Sequence, residues 1–192
     1  MLVPITPTSR QYLEHTLRML DAQSMGGLCQ GASAHWMMDV MSGRLATFDL
    51  IKLPRALLYQ RHYEALMNPD TAIRAVHAAI AYYLDRFRCT TSFETSARKI
   101  GGALNSPCNV AAMLGMDAPT GGSHSIVLFK AKSGRRFVYC SNAGIYEWAC
   151  SPHNAIGVFL SEYNTRFGTN YDKISEAIIS TTPHDLPVNA YA

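Results

Sequence analysis

Apolar positions in the first hundred residues of the chain recur at helical spacing. Apolar side chains return every three or four residues in 9–22, in a segment that begins near Cys29, in 53–67 and in 73–87. The helical pattern then weakens, although 107–114 is predicted to form one more short helix. We therefore expect the N-terminal part of the chain to be helical.

The apolar pattern changes after "DAPTGGSH". The runs "HSIVLFKAK" and "RRFVYCS" are rich in β-branched and aromatic residues, and Ser133-Gly134 separates them, which predicts a β-hairpin. "IYEWA" and "ISEAIIST" predict two further strands, with a helix opening at Ser151-Pro152 between them. Helices followed by an antiparallel sheet indicate an α+β fold. We expect a single domain over 1–192, with a helical part at about 8–118 and a sheet part at about 121–182.

Composition narrows the class of protein. A chain of 192 residues with 48% hydrophobic and 16% charged residues is typical of one globular domain. A net charge of +3 without long basic clusters argues against a nucleic-acid partner. No apolar run approaches the roughly 20 residues of a membrane span. Five widely spaced cysteines favour reduced thiols over a disulfide framework.

One cysteine lies where a glycine-rich segment leads into a predicted helix. The segment is "QSMGGLCQGASAHW", and Cys29 lies at the point where the apolar run begins. The positive end of a helix dipole favours a thiolate, so this position suits a nucleophile. A small buried hydrophobe is the alternative reading of the same residue.

A nucleophilic thiol needs a base and donors for the oxyanion. His124 follows Gly121-Gly122-Ser123 and opens the first hairpin strand, where an imidazole can face a helix N-terminus across a cleft. Gln23 lies six residues before Cys29, and its amide could share an oxyanion with the Cys29 backbone N–H. Gln23 could equally cap the end of the first helix.

Two of these segments resemble a known family. "GLCQGASAHW" resembles the nucleophile segment of papain-like cysteine peptidases, and the similarity is greatest to the YopT/AvrPphB family of bacterial type III effectors. "GGSHSIVLF" resembles the segment in which their catalytic histidine begins a strand, and Gln23 stands where these enzymes place an oxyanion glutamine. The resemblance implies a papain-like fold, a helical lobe with the nucleophile helix, and an antiparallel sheet lobe.

The residue that orients the imidazole departs from the family pattern. In the family, the second hairpin strand carries an aspartate, and "YCSNAG" has Cys140 at that position. Asn142 is our preferred orienting residue, because papain-like enzymes also use an asparagine, and Cys140 is the alternative. With a hairpin loop of odd length, both residues would face the same side of the sheet as His124.

The resemblance implies a cysteine protease that cleaves a protein from a target cell after delivery as an effector or toxin. No secretory signal is visible, so a cytoplasmic location is the alternative to delivery by a dedicated secretion machine. The same groups would also serve a glutamine deamidase, a transglutaminase or a peptidoglycan amidase. A binding module that has lost its chemistry is a further alternative.

No cofactor is expected, and zinc is the competing reading of the cysteine and histidine positions. Cys150-x-x-His153 has the spacing of metal ligands, and Cys140 with His124 could complete a set of four. No second paired motif accompanies it, and Ser151-Pro152 is explained by a helix start. We therefore predict no metal site.

Overall fold

The predicted mixture of helices and antiparallel strands is confirmed by a computed structural model, which describes residues 2–7, 10–22, 27–43, 53–66, 68–148 and 155–183. The described helices are α1 (Arg10–Ala22), α2 (Cys29–Met41), α3 (Leu53–Glu64), α4 (Pro69–Asp85), α5 (Ala97–Ala103) and α6 (Ala155–Phe167). The described strands are β1 (Leu2–Pro7), β2 (Thr90–Glu94), β3 (Val110–Asp117), β4 (Ser123–Lys130), β5 (Arg136–Cys140), β6 (Gly144–Trp148) and β7 (Lys173–Thr181). None of these helices, of which the 17-residue α4 is the longest, could cross a membrane.

Helix α2 is buried on every side because it lies between other elements. Each residue from Gln30 to Met38 is buried, and Trp36 is 1% exposed. The helix packs against α3 on one side and against β3 and β4 on the other. Burial of apolar side chains around most of its circumference stabilises a helix that is enclosed in this way. This enclosure fixes the position of its first residue, Cys29.

The seven described strands form one sheet in the order β1-β6-β5-β4-β3-β7-β2, and every neighbouring pair is antiparallel. The predicted hairpin is present as β4 and β5. Lys130 pairs with Arg136 and Ile126 pairs with Cys140, so the connecting loop has an odd number of residues. His124 therefore faces the same side of the sheet as Cys140, because paired residues and their second neighbours share a face.

Helices cover both faces of this sheet. Val127 and Phe129 of β4 point towards the core that contains α2, α3 and α4. Ile126 and Leu128 point towards the opposite core, which contains α5 and α6. A central strand of such a sheet is buried on both faces, so its sequence is apolar without alternation.

The predicted helix at 107–114 is wrong, and the double burial of the sheet explains why. Strand β3 occupies Val110–Asp117, between β4 and β7. Its first five residues are all buried, and a short continuous apolar run does not distinguish a buried strand from a helix.

The predicted helical part of the chain, at about 8–118, also contributes strands. It supplies β2 and β3, and β1 comes from the residues before it. β1 contains Pro4 and Pro7 and lies at one edge of the sheet, where a strand tolerates proline. β2 lies at the other edge. The sheet is thus built from both ends of the chain.

Candidate active site

Cys29 is the first residue of α2 and lies at the surface of a cleft. Leu28 occupies the position before the helix, and its side chain makes no capping hydrogen bond. The backbone N–H groups of a first helical turn carry a partial positive charge. Cys29 is partly exposed, whereas the residues that follow it are buried. Cys29 is therefore a partly exposed residue at the positive end of a helix.

Two residues of the first turns of α2 attach the helix to β4. Ser33 Oγ donates to the backbone carbonyl of Ser125 at 3.0 Å. Ser125 Oγ donates to Gln30 Oε1 at 2.5 Å. All three residues are buried. Because Ser125 is the neighbour of His124, these bonds set the position of the Cys29 helix relative to the imidazole.

Gly31 allows α2 and α3 to approach closely. A Cβ atom at Gly31 would lie 2.1 Å from the Ala56 carbonyl oxygen and 2.6 Å from the Gln60 backbone nitrogen. The Gly31 N–H donates to Gln60 Oε1 at 2.9 Å. The glycine two residues after the thiol is therefore required by helix packing.

His124 is the second residue of β4 and is 7% exposed. Gly121 and Gly122 precede it with φ values of 86° and 95°, which favour glycine, and they turn the chain from β3 into β4. The imidazole stacks on Tyr171, with ring centroids 6.0 Å apart and planes at 20°. The ring of Tyr163 lies 6.5 Å away at 37°. Strand pairing and two aromatic rings thus hold the imidazole in place.

The imidazole Nε2 atom contacts a second cysteine. Nε2 of His124 lies 3.3 Å from Cys140 Sγ, and Cys140 Sγ lies 3.2 Å from the Tyr163 hydroxyl oxygen. Cys140 is 2% exposed, so it lies behind the imidazole as seen from the cleft. Nε2 is thus occupied by Cys140, and Nδ1 is the imidazole nitrogen that remains for another partner.

The two candidate orienting residues are placed differently. Cys140, the alternative in the sequence prediction, contacts the imidazole, whereas Asn142 is exposed and lines the cleft. The Asn142 Oδ1 atom accepts from Ser141 Oγ at 3.4 Å. The reason is the end of β5 at Cys140, after which the chain turns towards β6 and carries Asn142 to the rim.

Cys29 and His124 are both uncharged at neutral pH. Burial raises the pKa of the Cys29 thiol, and the backbone N–H groups of Ser125 and Gln30 act in the opposite direction. Burial lowers the pKa of the His124 imidazole to about 4. A neutral imidazole beside a neutral thiol is the state in which the imidazole can act as a general base.

Cys29 and His124 line the same cleft, whose volume is about 380 Å³. Its lining residues are Thr16, Leu17, Leu20, Gly27, Leu28, Cys29, Ser123, His124, Ser141, Asn142 and Tyr171. Helix α1 forms one wall, and the ends of β4 and β5 form the other. None of the lining residues named here is an Asp, Glu, Lys or Arg. The cleft thus brings together three of the predicted site residues, Cys29, His124 and Asn142.

Some predicted positions lie outside the described residues. Gln23, the expected oxyanion donor, is one of them, and Cys150 and His153 of the zinc hypothesis are two more. In the part of the chain that the structure describes, no three His, Cys, Asp or Glu side chains are grouped as metal ligands would be.

Sequence reasoning missed the residues that support the two reacting groups. Ser125 follows His124 directly, and Gln30 follows Cys29 directly. Their positions next to the two predicted site residues could have identified them as supporting residues. Tyr163 and Tyr171 had no such signal. They lie on α6 and just before β7, and only the folded sheet brings them to the imidazole.

Comparisons with known proteins show similarity at the level of the fold. No family model matches the sequence, and no curated protein sequence matches it. Among solved structures, the chain is similar to the Pseudomonas avirulence protein AvrPphB, with a TM-score of 0.50 and 11% sequence identity. The similarity covers 82% of this chain and 92% of the AvrPphB chain. The α+β fold is therefore similar to that of AvrPphB.

Proposed function

We propose that the chain is a cysteine protease with a papain-like site, in which Cys29 is the nucleophile and His124 is the general base and then the general acid. The observation that carries the proposal is the shared cleft. The cleft contains the partly exposed Cys29 at a helix N-terminus without a side-chain cap. It also contains the His124 imidazole, whose Nε2 atom contacts Cys140 Sγ. A thiol, a base and a group that orients the base are the parts of a nucleophilic site.

The proposed reaction is acyl transfer through the Cys29 thiol. Nδ1 of neutral His124 accepts the thiol proton as Sγ attacks a substrate carbonyl carbon. The Cys29 backbone N–H binds the oxyanion, and Gln23 is proposed as the second donor. The imidazolium then gives its proton to the leaving amine. Water, activated by the same imidazole, hydrolyses the thioester and restores the thiol.

We assign the orienting role to Cys140 rather than Asn142. The contact between His124 Nε2 and Cys140 Sγ supports this assignment, and the exposed position of Asn142 at the rim suits a contact with substrate. Both residues lie in "YCSNAG", the segment that corresponds to the orienting segment of the family, but the assigned roles differ from the preferred sequence prediction.

A second cavity in the described structure offers no comparable chemistry. It has a volume of about 400 Å³, lies between α3 and α4, and has walls of leucine, alanine and tyrosine. His62 is its one imidazole among the described lining residues, and they include no cysteine, serine or threonine. Cavity size alone therefore does not locate the active site in this protein.

The similarity to AvrPphB supports the setting of the proposed reaction. AvrPphB is an avirulence protein of Pseudomonas and carries the name of the family that the two sequence motifs resemble. We propose accordingly that this chain is a bacterial effector or toxin that cleaves a protein in the cytoplasm of a target cell.

The proposal is tested by a search for new protein N-termini in target-cell extract. Wild-type protein should create N-termini that the Cys29→Ala variant does not create. Cys108→Ala is the matched control, because Cys108 is buried away from the cleft. Release of ammonia from a substrate protein without new N-termini would instead identify a glutamine deamidase.

A binding module is the second candidate function, and one observation favours it. No carboxylate of the described residues hydrogen-bonds His124, whereas the family pattern has an aspartate at position 140. A protein without an orienting carboxylate could retain the cleft but have no catalytic activity. In that case, Cys29→Ala should bind a target-cell partner as tightly as wild type, and neither protein should change the partner covalently.

A further inference from the structure

Three buried groups form a row behind the cleft. His124 Nε2, Cys140 Sγ and the Tyr163 hydroxyl oxygen are joined by contacts of 3.3 Å and 3.2 Å. Cys140 and Tyr163 are each 2% exposed, so these two groups have almost no contact with water. Every proton in it must therefore find an acceptor within the protein.

When His124, Cys140 and Tyr163 are all uncharged, the row has one proton more than it can place if the imidazole proton is on Nε2, which is the tautomer that can accept a proton from Cys29. A neutral imidazole, a thiol and a phenol carry one exchangeable proton each. If the imidazole proton is on Nε2, it fills the contact with Cys140. Either the S–H or the O–H proton then fills the contact with Tyr163, and the other proton is left without an acceptor among the described residues.

The neutral row is satisfied only in an unreactive form. Tyr163 O–H then donates to Cys140 Sγ, Cys140 S–H donates to Nε2, and the imidazole proton moves to Nδ1. In this tautomer Nδ1 cannot accept the Cys29 proton. Removal of the Cys140 proton satisfies the row and also leaves Nδ1 without a proton, because a thiolate accepts from both Nε2–H and Tyr163 O–H.

We propose that Cys140 acts as a thiolate that replaces the orienting carboxylate, and that Tyr163 is a positioning residue that holds this thiolate by donating its hydroxyl proton. This inference rests on the proposed function of Cys29 and His124. The deprotonated row keeps the imidazole proton on Nε2 and leaves Nδ1 free for Cys29. Charge-assisted hydrogen bonds of this kind are stronger than those of the neutral thiol.

The surroundings of Cys140 determine when the thiolate forms. Its titratable neighbours are His124 from β4, Tyr163 from α6, Cys29 from α2 and Tyr171. Burial raises the pKa of the Cys140 thiol, and the Tyr163 hydroxyl acts in the opposite direction. Burial also raises the pKa of Tyr163, which keeps this hydroxyl protonated as a donor. The reactive tautomer should therefore increase on the alkaline side of neutrality.

Nitrogen-15 NMR of the His124 ring tests the inference without a substrate. The Cys29→Ala variant removes the other cleft thiol, and loss of the signal in His124→Gln identifies the ring. As the pH rises, we expect the proton to move from Nδ1 to Nε2 in a single transition. Cys140→Ser, whose hydroxyl does not ionise, should lack that transition, and Cys140→Asp should show the Nε2–H form already at neutral pH.

Tyr163→Phe tests the role of the phenol. The transition should move to higher pH by about one unit or more, because a hydrogen bond to a charged group is worth at least one pKa unit. Tyr59→Phe is the matched control, since its hydroxyl also donates to a sulfur atom, Met38 Sδ at 3.7 Å, but in the opposite core. This control should leave the transition unchanged.

A tautomer that does not change with pH, or the same transition in Cys140→Ser, overturns the inference. An equal shift in Tyr163→Phe and Tyr59→Phe overturns the role of Tyr163. The NMR result does not depend on proteolysis, so a failure of the proposed function is recognised separately, by the absence of new N-termini.

Discussion

At the scale of single residues, the site combines a thiol at the cleft surface with an imidazole in the protein interior. Cys29 is partly exposed, and His124 is packed between Tyr171 and Cys140. Burial keeps the imidazole neutral, which suits a base but disfavours a stable thiolate–imidazolium pair. For the proposed reaction, we therefore expect proton transfer during attack rather than a thiol that is ionised beforehand.

The buried imidazole makes the stability of the protein depend on pH. The pKa of His124 is about 4 in the folded chain, and an unfolded histidine has its ordinary value of about 6.5. Between these values the unfolded state binds more protons, so the free energy of unfolding falls as the pH falls. Because of this pKa shift, the free energy of unfolding should be about 3 kcal/mol lower at pH 4 than at pH 7.

Denaturant unfolding of wild type and His124→Gln between pH 7 and 4 measures this contribution. Over this range, the free energy of unfolding should fall by about 3 kcal/mol less in the variant than in wild type. Parallel pH curves for the two proteins would show that His124 is not buried as the structure describes.

Cys29 and His124 could be predicted from sequence because each lies at a local transition of the chain. Cys29 marks the start of an apolar helix, and His124 marks the start of a strand after two glycines. Tyr163 could not be predicted as a partner of Cys140, because 23 residues separate them and no local pattern joins them.

At the scale of elements, the position of the thiol depends on how closely α2 approaches α3. Gly31→Ala would place a methyl group 2.1 Å from the Ala56 carbonyl oxygen, which belongs to the backbone and cannot rotate away. Overpacking in a core costs roughly 1–3 kcal/mol, so the variant should unfold at lower denaturant concentration.

Gly102→Ala in α5 is the matched control for Gly31→Ala. Nothing lies within 4 Å of a Cβ atom at Gly102, so alanine should be neutral or stabilising by up to about 1 kcal/mol. Equal unfolding midpoints for the two variants would contradict the packing of α2 on α3.

Helix α1 should influence the substrate because it forms the apolar wall of the cleft. Leu17 is 59% exposed there, and the described lining carries no Asp, Glu, Lys or Arg. If the proposed protease activity is present, a peptide with an apolar side chain should bury Leu17. Loss of such a contact costs about 1.5–3 kcal/mol, so Leu17→Asp should lower kcat/KM tenfold or more.

Leu58→Asp is the control for Leu17→Asp. Leu58 is 54% exposed, but it lines the cavity between α3 and α4 rather than the cleft. Its substitution should leave kcat/KM unchanged. A loss of the same size in both variants would mean that α1 does not contact the substrate.

The elements differ in how well the sequence predicted them, for physical reasons. Helices α1, α3 and α4 repeat their apolar residues at helical spacing, and the hairpin β4–β5 is marked by two β-branched and aromatic runs that Ser133-Gly134 separates. Strand β3 is buried on both faces and carries no period. The edge strands β1 and β2 have few buried positions and gave no signal.

At the scale of the whole molecule, the layered arrangement explains how distant segments form one site. A sheet with helices on both faces brings the N-terminus of α2 and the first residues of β4 to one end of the molecule. From the other face, α6 places Tyr163 against the end of β5. The sequence predicted the α+β class, but the order of the strands depends on long-range pairing that no local pattern encodes.

The similarity to AvrPphB also concerns the whole molecule. At 11% identity it reports how the helices and strands are arranged, and it says little about individual side chains. The local motifs around Cys29 and His124 supply the residue-level part of the proposal. The similarity concerns the fold alone, and only the motifs concern the thiol and the imidazole.

Competitive alkylation by iodoacetamide, carried out from neutral pH up to the pH at which the His124 tautomer changes, tests the central claim, that Cys29 is a nucleophile activated by His124. Cys29 should react faster than the buried Cys89, Cys108 and Cys140. Its rate should fall at least tenfold in His124→Gln, because a positioned base assists removal of the thiol proton. His62→Gln, which lies in the other cavity, should leave the rate unchanged. Labelling of Cys29 no faster than of the other thiols, or at the same rate in His124→Gln, would contradict the account.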